Sequence, residues 1–254
     1  MVTVTDSKLL LSFVTKRRGS DYTDIDVTIY NDIIERKEVK IMNELVNMLM
    51  TDRTLPLLFT FKDFEKLGYI KHEFDNYIKE AVQNKYIENI YGDIYSLTVK
   101  YTDKFLPREL LAQMIMPDSY VSLYYVLYEY GWIPETIFPI TSVTTKEKCI
   151  IDTETCGTFM YDNVYNKEQK AGIYLEEDSN GYYKIATPLR ALCDLLYSEK
   201  KSYTSTDELY EDYRIDKESI IQDVKSKDFD ELQGTFGIES IEDFLKSIRK
   251  ELQL

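Results

Sequence analysis

Residues 118–134 read DSYVSLYYVLYEYGWIP, and no other stretch narrows the fold as much. Leu123, Val126, Leu127 and Tyr130 recur at helical spacing on one side, and Val121, Tyr124, Tyr125 and Tyr128 on the other. Only Ser122 and Glu129 interrupt. A helix apolar on both sides is packed from two directions inside a domain, and about a dozen residues are too few to span a bilayer. The spacing predicts a central buried helix over 119–130, capped by Asp118 or Ser119 and stopped by Gly131 and Pro134. Trp132, beside that stop, is expected to pack against the first strands that follow.

At 254 residues the chain has room for two or three domains with proper cores. A net charge of −14 excludes indiscriminate polyanion binding, so any nucleic-acid contact must come from a local patch. The 3 cysteines, Cys149, Cys156 and Cys193, show no C-x-x-C pairing, which fits a reduced, cytoplasmic protein. Apolar residues 9–14 precede the basic 16–18 rather than follow them, the wrong order for a signal peptide, and no run approaches a membrane span. With His72 as the 1 histidine, most metal and triad chemistry is removed; neither a metal site nor a cofactor is implied.

Residues 1–37 read as an N-terminal extension with short strand-like segments at 2–4 and 25–29. Asp24 and Asp26, preceded by Gly19 and Ser20, resemble the metal-binding strand of nucleotidyltransferases, since two carboxylates two apart on a strand share a face and can hold Mg²⁺. In that family a helical turn separates the two motifs, and here only 21–23 intervene. The alternative is the polar face of an edge strand.

From Glu38 the pattern turns helical, with Val39, Met42, Leu45, Val46 and Leu49 repeating up to about Thr51. Thr60 and Asp63 resemble a capping box and open a short helix stopped by Gly68. A third helix follows from about His72, with Phe74, Ile78, Ala81 and Val82 inward and Glu73, Asn76, Lys79, Glu80 and Gln83 outward. Residues 86–97 alternate on either side of Gly92 and Asp93, a hairpin signal. Three helices and a hairpin make a winged helix-turn-helix over 38–98. If it binds DNA, the third helix contributes Lys71, His72, Asn76, Lys79 and Gln83, with Lys85 and Lys100 near the backbone. Glu73, Asp75, Glu80, Glu88 and Asp93 oppose that role. The alternative is a module that packs on the rest of the chain or on a protein partner.

Residues 100–108 read as a linker and 109–116 as a short helix. Strand-like segments follow at 137–144, 148–151 and 158–164, with a hairpin formed by 173–175 and 182–185. Thr187 and Pro188 supply an N-cap and an N1 proline for a second apolar helix over 189–196. Two such helices are expected to pack on each other and on one face of an antiparallel sheet, giving an α+β domain over 99–197. Within that helix Arg190 and Asp194 are four apart, cation first, an order worth at most about 0.5 kcal/mol on an exposed face. Arg190 either snorkels to the rim or fastens a neighbouring loop. The tail, 198–254, is acidic and helical in parts.

The order of these parts resembles a known family. After the winged helix come Tyr120-Val-Ser122-Leu at the head of 120–134, Val-Thr-Thr at 143–145, Thr-Phe-Met-Tyr at 158–161 and Ile-Ala-Thr187-Pro188-Leu-Arg190-Ala-Leu-Cys-Asp194 within 185–196. This is similar to the AbiEi-type antitoxins of type IV toxin–antitoxin systems, whose patterns run roughly Y-[IV]-S-L-x-S-A-L-x-x-H-G-[LW]-I-P and I-A-x-P-E-[RK]-A-L-x-D, over about residues 40–197. The resemblance implies a repressor of its own operon that binds an inverted-repeat operator as a homodimer. It also implies an antagonist of a nucleotidyltransferase-type toxin, with no catalysis of its own and no membrane association. Tyr120, Ser122, Tyr130, Trp132, Thr187, Pro188, Arg190 and Asp194 are the motif residues. Tyr124 and Tyr125 stand where the family has small residues, Tyr130 where it has histidine, Leu189 where it has glutamate, and the third helix lacks the usual basic excess. Three classes therefore compete: antitoxin and repressor, a protein-interaction module of the same fold without DNA binding, and an enzyme resting on Asp24 and Asp26.

Overall fold

A computed structural model describes residues 44–254 except Arg53, Asp103, 165–169, Ser179 and Thr204. The expected extension at 1–37, its strands, Asp24 and Asp26 and the start of the first helix lie outside the described residues. Over the rest the chain is a mixed α+β structure of helices with an antiparallel and a mixed sheet.

Residues 45–97 build a small core. Helix α1 (Glu44–Thr51) leads to strand β1 (Leu58–Phe59), helix α2 (Phe61–Glu65) and helix α3 (Lys71–Gln83), then strands β2 (Ile87–Tyr91) and β3 (Ile94–Leu97). Asp63 accepts from the Thr60 N–H at 2.9 Å, closing the front of α2 as the sequence suggested. Gly92, at φ +56, makes the turn between β2 and β3. β1 adds to the far side of β3, so the sheet runs β1-β3-β2, all antiparallel. Leu45, Val46, Phe59, Phe64, Phe74, Ile78 and Ile87 fill the space between helices and sheet. Phe64 lies 5.5 Å from Phe59 and 5.4 Å from Phe74, within the range of favourable aromatic pairs.

A 3-10 turn (Val99–Tyr101) and helix α4 (Arg108–Ile115) lead into the larger part. Here the helix expected over 119–130 divides. Its first residues form strand β4 (Tyr120–Val121), and only Tyr124–Glu129 is helical, as α5. The change of direction falls on Leu123, at φ +62. Asp118 and Ser119 consequently cap no helix. Residues buried on both sides suit a central strand as well as a buried helix, and β4 is central, antiparallel to β5 (Ile140–Thr144) and parallel to β9 (Gly181–Ala186). Periodicity over four residues cannot separate the two cases. The helix stop is as read: Gly131, at φ +70, donates its N–H to the Tyr128 carbonyl.

Strands β6 (Cys149–Thr153), β7 (Gly157–Asn163) and β8 (Ile173–Asp178) complete a six-stranded sheet ordered β6-β7-β5-β4-β9-β8. It is mixed, not antiparallel, because β7 turns back from β6 and lies parallel to β5, and β9 lies parallel to β4. Helix α6 (Pro188–Glu199) packs on α5 and against β9, with residues 188–196 all buried. Helices α7 (Thr206–Tyr213), α8 (Lys217–Asp223), α9 (Ser226–Leu232) and α10 (Glu239–Glu251) follow. Leu209, Tyr213, Phe229, Leu232, Ile241, Leu245 and Ile248 join the core that contains Val121, Trp132 and Leu192. Trp132 is fully buried; its indole N–H donates to Asp223 at 2.9 Å, and its carbonyl accepts from the Asp216 N–H. No helix among the described residues is long and apolar enough to cross a membrane.

Candidate functional site

Two sets of residues stand out, one exposed and one buried. The exposed set lies on α3, whose inner face holds Phe74, Ile78 and Ala81 in the small core. His72, Asn76, Lys79 and Gln83 are all exposed. At 100° per residue their spacings of four, three and four keep them on one narrow line along the helix. Glu73 and Glu80 lie to one side of that line. Asp75 lies to the other and is paired with Lys71, which also sits 5.5 Å from the centre of the Phe61 ring. Asn76 approaches the His72 ring at 3.4 Å. Lys85, at φ +58 just beyond α3, and Lys100, in the 3-10 turn, line one groove with Val82 and Thr155. The structure thus places the seven expected DNA contacts in three places: a line, an ion pair at its start and a groove near its end.

The buried set gathers around Asp194 in the middle of α6. Asp194 Oδ1 accepts from Arg190 Nε at 2.8 Å; Oδ2 accepts from the Tyr120 hydroxyl at 2.8 Å and the Ser122 hydroxyl at 2.7 Å. Arg190 Nη2 donates to the Tyr120 oxygen at 2.7 Å, and Nη1 to the Ala171 carbonyl at 2.6 Å. The rings of Tyr120 and Phe236 stand 5.3 and 4.9 Å from the guanidinium carbon. Arg190 and Asp194 are both 0 % exposed. Arg190 therefore does not snorkel: it fastens the loop at Ala171. The weak-pair estimate belongs to exposed helix faces and does not apply at this depth.

Electrostatics make this node self-consistent. Burial works against the guanidinium charge, but the Asp194 carboxylate and the Tyr120 oxygen together outweigh it and raise the Arg190 pKa. Burial pushes the Asp194 carboxyl up, and Arg190, Ser122 and Tyr120 supply the opposing charge and donors. Burial also holds the Tyr120 phenol well above its ordinary range, so it remains a donor. The result is an ion pair whose hydrogen-bonding capacity is largely used inside the protein.

Other motif residues lie elsewhere. Thr187 caps α6, its hydroxyl accepting from the Arg190 N–H at 3.3 Å, with Pro188 in the first turn. The Tyr130 hydroxyl meets that of Tyr174 at 2.5 Å, beside a small cleft that Thr187 and Pro188 also line. Trp132 is engaged with Asp223 instead.

Sequence reasoning missed three contributors. Gly172, at φ +65, carries no local signal, yet a Cβ there would meet Arg190 Cβ at 2.9 Å and Leu232 at 3.0 Å. Asp118 ties β4 to the end of β5 by accepting from the Thr144 hydroxyl at 2.9 Å and the Thr145 hydroxyl at 2.6 Å. Burial raises its pKa, but the bonds from Thr145, Thr144 and Lys146 prevail and hold it at about 2. Glu199 accepts from the Tyr124 and Tyr213 hydroxyls, joining α6 to α5 and α7. Among the described residues no group of three or more His, Cys, Asp or Glu side chains is placed to hold a metal.

No protein-family model matches this chain, and no curated protein is significantly similar to it.

Proposed function

We propose that this chain is a DNA-binding regulator of the AbiEi antitoxin kind, with α1 to α3 and the β2–β3 hairpin acting as a winged helix-turn-helix. The line of His72, Asn76, Lys79 and Gln83 on α3 carries the reading. Its carboxylates flank it rather than occupy it, and Asp75 is already neutralised by Lys71. Asn76 and Gln83 are of the type that reads adenine edges, Lys79 suits a phosphate, and Lys85 and Lys100 line the adjacent groove. The regulator would act in the cytoplasm on an inverted repeat in its own promoter and counter a nucleotidyltransferase-type toxin without catalysis of its own. The motif residues behind the resemblance support the scaffold more than the activity, because Tyr120, Ser122, Arg190 and Asp194 are sealed in the core.

Titrating the purified protein against its own upstream DNA and a scrambled duplex, at low and physiological salt, tests this reading. Preferential binding to the upstream DNA supports it; equal, negligible binding removes the repressor role. A second reading, a protein-interaction module, draws on Ile70 and Leu67, exposed by 59 % and 50 % beside the start of α3. In that case α3 would meet a protein surface and the DNA titration would be flat.

A further inference from the structure

β6 is an edge strand. Its inner side pairs with β7, and among the described residues no strand lies on its outer side. An edge leaves backbone N–H and C=O groups ready to pair with another chain, and proteins usually blunt it with charge, proline or a bulge. The opposite edge, β8, is blunted by Glu176, Glu177 and Asp178. β6 reads CIIDT, keeps unbroken register with β7 over five residues, and leaves Ile150, its second residue, 58 % exposed.

We infer that β6 pairs antiparallel with β6 of a second copy of this chain, about a two-fold axis at Ile150. The charge pattern selects both the partner and the register. Centred there, the pairing sets Lys148, just before the strand, opposite Asp152 of the partner subunit. Ile150 meets its own counterpart, and Cys149 meets Ile151 of the partner subunit. One face of the joint is thus an isoleucine pair flanked by ion pairs, and the other is apolar. Within the chain Lys148 is held over β7 by Asp162 at 2.5 Å. Centring on Ile151 instead would set Ile150 against a carboxylate, and β8 carries three consecutive carboxylates with no cation on the strand to pair with them. An isologous contact of this kind closes at two copies and joins the two six-stranded sheets into one. Five residues a side bury less than the roughly 1,600 Å² of a standard interface, so the dimer is concentration-dependent. This interface does not rest on the DNA reading.

Sedimentation velocity of the full chain across a wide concentration range tests the inference. A reversible monomer–dimer equilibrium is expected, with Ile150→Lys monomeric throughout at an unchanged melting temperature and Asp152→Lys weakening the dimer at least tenfold. In a Cys149→Ser background, Ile150→Cys is expected to form a disulfide-linked dimer on mild oxidation, because the two-fold axis brings the same position of both copies together. Leu175→Cys, similarly exposed on β8, is the control and stays monomeric. A wild-type protein that is monomeric at every concentration overturns the inference. So does a dimer undiminished by Ile150→Lys, or cross-linking at 175 as efficient as at 150.

Discussion

Tyr120 donates its hydroxyl to Asp194 at 2.8 Å across 74 residues of chain, and the same oxygen accepts from Arg190. A two-residue strand is thereby bolted to the middle of a helix through an ion pair that no water reaches. Removing one member of such a pair leaves an uncompensated buried charge, worth about 3–5 kcal/mol. Asp194→Ala is expected to lose that much in urea unfolding, a large part of a typical domain's total stability. Replacing both partners, as Arg190→Met with Asp194→Leu, should lose less than Asp194→Ala alone. If the double replacement is the worse of the two, the ion pair is not what makes the site sensitive.

Gly172 carries the matching constraint on the loop. An alanine there must hold a left-handed backbone, which disfavours it by about 1–2 kcal/mol, and must also displace Arg190 or Leu232, with overpacking adding about 1–3 kcal/mol. Gly172→Ala is expected to lower the melting temperature clearly more than Gly131→Ala, which has a similar φ of +70 and open space around it. Equal effects at the two positions would show that backbone conformation alone decides.

Acid should loosen the junction between β4 and β5. The Asp118 pKa is depressed in the folded chain to about 2, below an ordinary carboxylate. Its stabilisation is therefore complete above about pH 4, the unfolded value, and is lost as pH falls from there towards 2. Asp118→Ala is expected to cost about 1–2 kcal/mol at pH 7, the worth of charge-assisted hydrogen bonds at a partly exposed site. The gap from wild type should shrink steadily in denaturation curves taken between pH 4 and pH 2. A gap constant across that range would assign the loss to packing.

On α3 the two kinds of contact should separate cleanly. Lys79→Ala is expected to weaken binding to all duplexes about equally and to reduce the salt slope by about one unit. Asn76→Ala should cost about 1–3 kcal/mol, mainly at the cognate site. With Glu73 and Glu80 beside the line, the wild-type slope should be shallow, on the order of two or three phosphates. Titrations of both variants at several salt concentrations decide this. A cognate-only loss for Lys79→Ala would exchange the two roles.

Local signals carried most of the small core. The Thr60–Asp63 cap, the inward spacing of Phe74, Ile78 and Ala81 and the turn at Gly92 are each written within a few residues, and each element forms where its signal lies. The same holds for Thr187 and Pro188 ahead of α6. What could not be read depends on remote partners. Tyr120 and Val121 form a strand because β5 and β9 lie on either side of them, and no spacing within 118–134 announces that. The parallel pairing of β5 with β7 is likewise a property of how the chain returns, not of either segment. Arg190 and Asp194 were visible as a pair, but their depth was set by Phe236 and the loop at 171, far along the chain.

The last helices also set a timetable. α10 packs on α6 and α7, and its Ile241, Leu245 and Ile248 share a core with residues as early as Leu58. Synthesis runs the other way, and domains close as soon as their parts have emerged. The small core from Leu45 to Leu97 has all its described residues at hand while the rest is still being made. The larger one must wait, with the apolar side of α6 uncovered, until α10 has emerged. A nascent chain stalled after α6 would hold the small core and all six strands of the large sheet, but α6 would lack the cover of α7 to α10, and that bare apolar face is what a chaperone would find.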